Sequence, residues 1–410
     1  MIDAAAAARY NVRPLLPGPE SALRDAVLRL GLPTERLSVL ATHGAVEALA
    51  VQGLSSDQTR VLERVLRERG GAVLTDADGT RAVLLAPLMV MGQLPAVLAA
   101  WSETAESLGV AIGATLMARG SPPPPMRAGK HVLDFSGRTL VMGVLNVTPD
   151  SFAGDALGGD IGAIVDCARG FVEAGADIID LGGESTRPNS QAVDADEERA
   201  RVLPALRAVV AAVDVPVSID SRKAAVAADA VAEGAVIVND VWGLRGDPTM
   251  AEVVAANPHV GLIAMHNQRG AEYGDLMEDI AASLRESVRV AQAHGIAADR
   301  VAIDPGFGFA KTPAQNLELM RRLGELRGLG RPVLIGVSRK YTIGAVLGGL
   351  PPEGRVEGTL ALLALAIAGG VSMVRVHDVA AAVRAVRVAD AVVRGTPAEV
   401  AALPPPGPTG

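Results

Sequence analysis

The chain has 410 residues, room for two domains, and 49% of them are hydrophobic but only 2% aromatic. Its core must therefore come from Ala, Val, Leu and Ile, as suits helices packed over a buried parallel sheet. A net charge of −8 excludes a general nucleic-acid or anionic-membrane binder, and the single cysteine, Cys167, excludes an intrachain disulfide and a Cys-rich zinc site.

Cys167 falls among Ile164, Val165, Ala168, Phe171 and Val172, a helical spacing that makes it a core residue. Met1-Ile2-Asp3-Ala4 lacks the basic and apolar regions of a secretory leader, and the apolar stretch 358–371 is too short to cross a bilayer. A cytoplasmic protein is expected, with neither membrane nor nucleic acid among its partners.

In the first third, residues 37–40 and 46–51 read as strands. Ser55 and Gln58 form a capping-box pattern opening a helix through Arg69, which stops at Gly70-Gly71. Strands over 72–74 and 80–85 flank the turn Asp76-Ala77-Asp78-Gly79. A second helix is predicted over 94–108 and a further strand near 110–116. This α+β unit offers no cluster of His, Cys or paired carboxylates, and His43 stands alone, so a structural, oligomerisation or regulatory role is expected. Ser121-Pro122-Pro123-Pro124-Pro125 then forms a stiff spacer.

From Arg138 strands and helices alternate. Strands are predicted over 140–145, 177–181, 217–219, 236–238, 261–264, 301–303, 333–335 and 373–374, each followed by a helical pattern, the last ending near Arg394. Eight such units over roughly 265 residues match a (β/α)8 TIM barrel. An open doubly wound sheet would need a Gly-rich turn after its first strand, and Asn146-Val147-Thr148-Pro149 is not one. The stretch 306–312 superficially resembles a phosphate-binding loop but lacks its glycine spacing. The expected organisation is an α/β fold: a small α+β domain over 1–120, a Pro-rich linker over 121–130, the barrel over 131–396 and a flexible tail over 397–410.

In such a barrel the strand C-termini converge on one face, where chemistry sits. Those positions hold Asn146, Thr186, Arg187, Asp220, Asn239, His266, Asp304, Lys340, Arg375 and His377. One Asp after a strand is ordinarily a turn former, but polar groups after successive strands would share one mouth, where unpaired charge is costly unless a ligand uses it. Asp220, Asn239 and Asp304 suit the donor-rich edge of a nitrogen heterocycle. Arg187, Lys340, Arg375 and His377, with Thr186, suit phosphate and carboxylate. No Ser or Cys nucleophile has an adjacent base, which favours electrostatic and positional catalysis.

The segments 146–152 (Asn-Val-Thr-Pro-Asp-Ser-Phe), 182–188 (Gly-Gly-Glu-Ser-Thr-Arg-Pro), 304–309 (Asp-Pro-Gly-Phe-Gly-Phe), Ser338-Arg339-Lys340 and Arg375-Val376-His377-Asp378 resemble, in order and spacing, the dihydropteroate synthase family. The resemblance spans residues 138–394. More weakly, the sequence around Val51-Gln52-Gly53-Leu54-Ser55 resembles an N-terminal extension of some bacterial members. It implies condensation of 6-hydroxymethyl-7,8-dihydropterin diphosphate with 4-aminobenzoate to give 7,8-dihydropteroate and pyrophosphate in folate synthesis, with Mg2+ as cofactor. Carried over by motif, Asp220, Asn239, Asp304 and Lys340 would hold the pterin. Asn146, Thr186, Arg375 and His377 would hold the diphosphate, with Asn146 also the metal ligand. Arg187 and Pro188 would help form the aminobenzoate site, and Val241, Met265, Gly336 and the Phe309 ring would shape the pterin slot. The catalytic set expected is Asp220, Asp304, Lys340, Arg375, His377 and Arg187, and the assembly a homodimer.

Several positions depart from the family pattern. Ala153-Gly154-Asp155-Ala156 replaces the usual Ser-Asp-Gly-Gly, with Asp155 the candidate for the loop aspartate. Asn189 and Ala310 replace glycines, and Tyr341 replaces a serine that meets the aminobenzoate carboxylate, leaving Thr342 or helix N-terminal N–H groups for that task. Three other readings stay open: a homologue with another arylamine or lost activity, a pterin-dependent methyltransferase on the same barrel, and a non-catalytic pterin-binding protein.

Overall fold

The computed structural model describes residues 13–15, 46–147, 160–184, 193–395, 400 and 402. The expectations on 37–40, His43, Thr148 to Phe152, Asp155, Thr186, Arg187, Pro188, Asn189 and most of the tail lie outside the described residues.

β1 (Arg13–Leu15), β2 (Val46–Gln52), β3 (Ala72–Thr75) and β4 (Arg81–Pro87) form an antiparallel sheet in the order β1-β2-β4-β3. Helix α1 (Ser56–Glu68) opens on the predicted capping box: Ser55 Oγ accepts from Gln58 N, and Gln58 Oε1 accepts from Ser55 N. Beyond β4 the expectation of one helix and a strand is overturned. Two helices stand there, α2 (Leu88–Ala99) and α3 (Glu103–Gly120). Ser102 caps α3 by accepting from Ala105 N, and the buried Ala105, Leu108, Ile112 and Thr115 recur at helical spacing. The short apolar run 110–116 fits strand or buried helix alike, and the cap decides between them. Helix α3 packs on a 3-10 turn of the barrel, Leu323–Leu329.

Of the expected linker, residues 126–128 belong to the barrel. β5 (Met126–Ala128) pairs with β6 (His131–Leu133), and this hairpin brings Met126, Ala128, Leu133 and Phe135 into one buried cluster with the starts of the barrel strands.

The eight expected strands are β7 (Leu140–Asn146), β8 (Ile178–Gly182), β9 (Val217–Asp220), β10 (Ile237–Asp240), β11 (Gly261–Met265), β12 (Val301–Asp304), β13 (Leu334–Ile335) and β14 (Met373–Val376). They form one parallel sheet ordered β12-β11-β10-β9-β8-β7-β14-β13, and a bridge between Ile303 and Val333 closes the ring. Around it lie α4 (Ile161–Glu173), α5 (Ala195–Ala212), α6 (Ala224–Ala232), α7 (Met250–Ala256), α8 (Leu276–Ala293), α9 (Pro313–Arg322), α10 (Tyr341–Val346), α11 (Val356–Ala368) and α12 (Val379–Arg394). Asn146, Asp220, Asp240 and Asp304 end strands rather than open loops, because parallel pairing continues through them, as in Asn239 with Asp220 and Met265 with Asp304.

Strand alternation sorts the two faces. Val141, Leu145, Ile179, Leu181, Ile219, Val238, Leu262, Ile303 and Val374 join the outer core beneath the helices, with Cys167 packed against it. Leu140, Met142, Ile178, Ile237, Ile263, Ala302, Leu334 and Met373 face inward onto the hairpin. Two residues further along these strands the same inward face carries Asp180, Asn239, Met265, Asp304, Gly336 and Arg375. No helix among the described residues is long and apolar enough to cross a membrane.

Candidate active site

Arg375 bridges two carboxylates. Its Nε donates to Asp180 Oδ2 and its Nη2 to Asp220 Oδ2, both at 2.6 Å. Asn239 Nδ2 also donates to Asp180 Oδ2, at 3.3 Å. The second oxygens, Asp180 Oδ1 and Asp220 Oδ1, are buried and have no hydrogen-bond partner. Burial pushes the Asp220 carboxyl up to about 7; Arg375 opposes this and the Asp180 charge reinforces it. Burial alone would lower Arg375, but Asp180 and Asp220 hold it above its ordinary value, so it stays a cation. A guanidinium shared by two carboxylates leaves excess negative charge and open acceptors, which suits a ligand rich in N–H donors.

Beside this cluster stands the loop after β12. Asp304 Oδ1 accepts from Gly306 N at 2.7 Å; burial raises its carboxyl, against the Gly306 N–H and Lys340. Lys340 donates from Nζ to Phe307 O, and its ammonium lies 4.2 Å from the Phe309 ring centre. Burial lowers Lys340 to about 8, with Asp304 opposing. Gly308, at φ 80, is needed here because a Cβ would stand 2.6 Å from Lys340 Cδ.

The loops after β13 and β14 are tied together. His377 Nδ1 and backbone N reach Ser338 Oγ at 2.9 and 3.2 Å, and Arg339 Nε donates to Asp378 at 2.8 Å. Asn146 ends β7 half-buried, Val241 and Met265 are buried, and Gly336 leaves room against Arg375, whose Cβ would lie 3.7 Å from a Cβ added there. Direct contacts thus join Asp220 to Arg375, and Arg375 through Asp180 to Asn239, and a second set joins Lys340 to Phe309. Arg375, expected at the diphosphate, is here engaged by the carboxylates. Thr342, expected as a contact for the aminobenzoate carboxylate, is instead 2% exposed and accepts from Asn316 Nδ2 at 3.0 Å. Tyr341 beside it is 70% exposed.

Sequence reasoning missed Asp180. The available signal was a charged residue inside the apolar strand Ile178-Ile179-Asp180-Leu181, two positions after an inward-facing Ile. It also missed a network at the root of the loop after β8. There Lys223 Nζ donates to Glu184 Oε2 at 2.8 Å and to the fully buried Glu198, and Arg222 donates to Glu184 at 3.0 Å. Among the described residues no group of three or more His, Cys, Asp or Glu is placed to hold a metal ion.

The sequence pattern of the family described as "Pterin binding enzyme" matches residues 142–377, from within β7 to just past β14. The chain belongs to the pterin-binding enzyme family. The dihydropteroate synthase of Bacillus subtilis (strain 168) is 45% identical to this pterin-binding enzyme over 260 residues, 63% of this chain and 90% of that one. Among solved structures, Xanthomonas albilineans dihydropteroate synthase with 4-aminobenzoic acid is 40% identical, with a TM-score of 0.62, covering 69% of this chain and 100% of that one. Burkholderia cenocepacia dihydropteroate synthase complexed with 7,8-dihydropteroate is 39% identical, with a TM-score of 0.60, covering 66% and 96%.

Proposed function

We infer that this pterin-binding enzyme acts as a dihydropteroate synthase. It condenses 6-hydroxymethyl-7,8-dihydropterin diphosphate with 4-aminobenzoate to give 7,8-dihydropteroate and pyrophosphate in folate synthesis. The observation that carries the reading is one mouth holding two buried carboxylate oxygens with no partner, on Asp180 and Asp220, and the cations Arg375 and Lys340.

Asp220, Asn239 and Asp304 offer acceptors to the donor edge of the pterin, with Lys340 beside them and Val241, Met265 and Gly336 as slot walls. Arg375, through the N–H donors that Asp180 and Asp220 leave over, and His377, with Asn146 and Thr186, would take the diphosphate, and Arg187 and Pro188 would serve the arylamine. The bond between the pterin methylene carbon and the diphosphate oxygen breaks, and its electron pair leaves with pyrophosphate. The resulting cation is conjugated to the ring nitrogens and stabilised by the Asp carboxylates. The arylamine nitrogen then forms the new C–N bond and releases its proton. Against such an electrophile the amine needs no general base.

Mg2+ fits this site only as an ion that the diphosphate helps to hold. Asn146 offers a single neutral amide oxygen, and Mg2+ commonly binds through few protein ligands plus substrate phosphates and water. So held, it would offset charge on the leaving group. A homodimer is part of the proposal, supported by apolar residues exposed on α11 and α12, including Leu365, Val388 and Val392. So is a cytoplasmic location, which suits a chain with one cysteine and no disulfide partner for it.

The test is pyrophosphate release by the full chain supplied with the pterin diphosphate, 4-aminobenzoate and Mg2+. Release that depends on the arylamine and matches dihydropteroate formed is expected. Release without arylamine dependence, or none, would overturn the reading.

A further inference from the structure

The loop that holds Lys340 is itself held by residues without a part in the chemistry above. Lys311 Nζ donates to Gly306 O at 3.1 Å and to Phe309 O at 3.2 Å, and lies 3.0 Å from His266 Nδ1. Three N–H donors meet three acceptors, so the ammonium has no donor left for a substrate. While it is charged Lys311 only donates, and in that state His266 Nδ1 is the acceptor and the ring proton sits on Nε2. His266 is buried, and burial with the Lys311 charge lowers it to about 3, so the imidazole is neutral.

The segment after β11 grips the same loop at two further points. Tyr273 OH donates to Ala310 O at 3.0 Å, and its ring centre lies 5.8 Å from Lys311 Nζ. Gly306, at φ 69, packs so closely that a Cβ there would stand 2.0 Å from His266 O. The carbonyls taken by Lys311, those of Gly306 and Phe309, bracket the groups that Lys340 uses, Phe307 O and the Phe309 ring. Gly306 N is also the donor to Asp304.

We propose that Lys311 and His266 are a positioning pair that clamps the 306–309 turn and thereby holds the Lys340 ammonium in the pterin subsite. The role of Lys340 rests on the synthase reading; the clamp rests on the contacts alone. A buried lysine is a costly means of filling space, since burial lowers it to about 7 even with Asp304 opposing. An apolar residue of similar length would fill the same volume but leave the Phe309 carbonyl and an imidazole nitrogen without their donor, while Gly306 O would keep only Phe309 N–H. Sequence reading placed His266 at a strand end and passed over Lys311 with the false phosphate-loop pattern; only the contact between consecutive βα loops joins them.

The test uses Lys311→Met in the full-length enzyme, with steady-state kinetics for the pterin diphosphate. It also follows acylation of the Lys340 ε-amine against pH by mass spectrometry. A freed turn lets water reach Lys340, so its labelling midpoint is expected to rise by about one pH unit toward ordinary lysine. The kcat/KM is expected to fall at least about tenfold, because the ammonium is misplaced. A folded Lys311→Met with Lys340 labelling and kcat/KM both unchanged would overturn the proposal, whatever its melting temperature.

If Lys311→Met does not fold, His266→Leu and His266→Gln make the same comparison, since Gln restores an acceptor. The Gln variant is expected between wild type and Leu in both readouts, and identical behaviour of the two would overturn the clamp. Wild-type enzyme that releases no pyrophosphate sinks the synthase reading instead, while the Lys340 labelling still decides the clamp.

Discussion

The floor and the mouth of the barrel use the same strands and the same inward alternation, yet to opposite ends. At the floor, Leu140, Met142, Ile178, Ile237, Ile263, Leu334 and Met373 close on Met126 and Phe135 from the hairpin. Each buried apolar side chain there contributes about 1.5–3 kcal/mol. Two residues along, Asp180, Asn239, Asp304 and Arg375 occupy the equivalent inward positions. The mouth holds carboxylate oxygens with no partner, each costing about 1–3 kcal/mol while it waits for a ligand donor. Stability is concentrated at one end of the barrel and reactivity at the other, about one strand step apart. A TIM barrel permits this because its mouth is finished by loops and its floor by packing.

The sharpest way to break the contrast is at Arg375. Arg375→Ala leaves Asp180 and Asp220 as buried carboxylates without their cation. The unfolding free energy is expected to fall by about 3–5 kcal/mol, and turnover to fall by on the order of a thousandfold or more. Urea unfolding and pyrophosphate release check both, and a variant that keeps its turnover would remove Arg375 from the chemistry. Next in size, Phe135→Ala is expected to cost about 3–5 kcal/mol of stability. Its kcat and its KM for the pterin diphosphate should stay at wild-type values in the folded protein. A changed KM would mean that floor packing reaches the mouth.

The smallest effect is a pH dependence. Asp220 is raised to about 7 in the folded state, mainly by burial. The folded ligand-free protein therefore keeps this proton where the unfolded chain has lost it. The contribution is fully present below the ordinary carboxylate range and is lost as pH rises toward about 7. Melting curves of the ligand-free protein should decline over that window, and Asp220→Asn should flatten the decline. An unaltered profile would remove Asp220 as the titrating group and leave Asp304, whose carboxyl burial also raises.

The eight βα units were legible in sequence because buried parallel strands are nearly continuous apolar runs, and polar residues end them abruptly. Asn146, Asp220, Asn239, Asp304 and Arg375 could be picked out for the same reason. Asp180 could not, because one charge inside an apolar strand does not reveal which face it occupies or that Arg375 will arrive opposite it. Residues 110–116 misled because a short apolar run has no period of its own. The contact of Thr342 could not be read either, because its hydroxyl accepts from Asn316, 26 positions away in the chain.

The sequence by itself determined the order of strands and helices, the family, and the residue types available at the mouth. These depend on local pattern, and local pattern is written along the chain. Only the tertiary structure decided which of those residues meet: Arg375 with Asp180 and Asp220, Lys340 with the turn at Phe307, and that turn with Lys311 and His266. Those pairings join side chains 45 to 195 positions apart in the case of His266 with Lys311 and Asp180 with Arg375. Closure of the ring sets such distances, and burial then makes each surviving pair and each open oxygen matter.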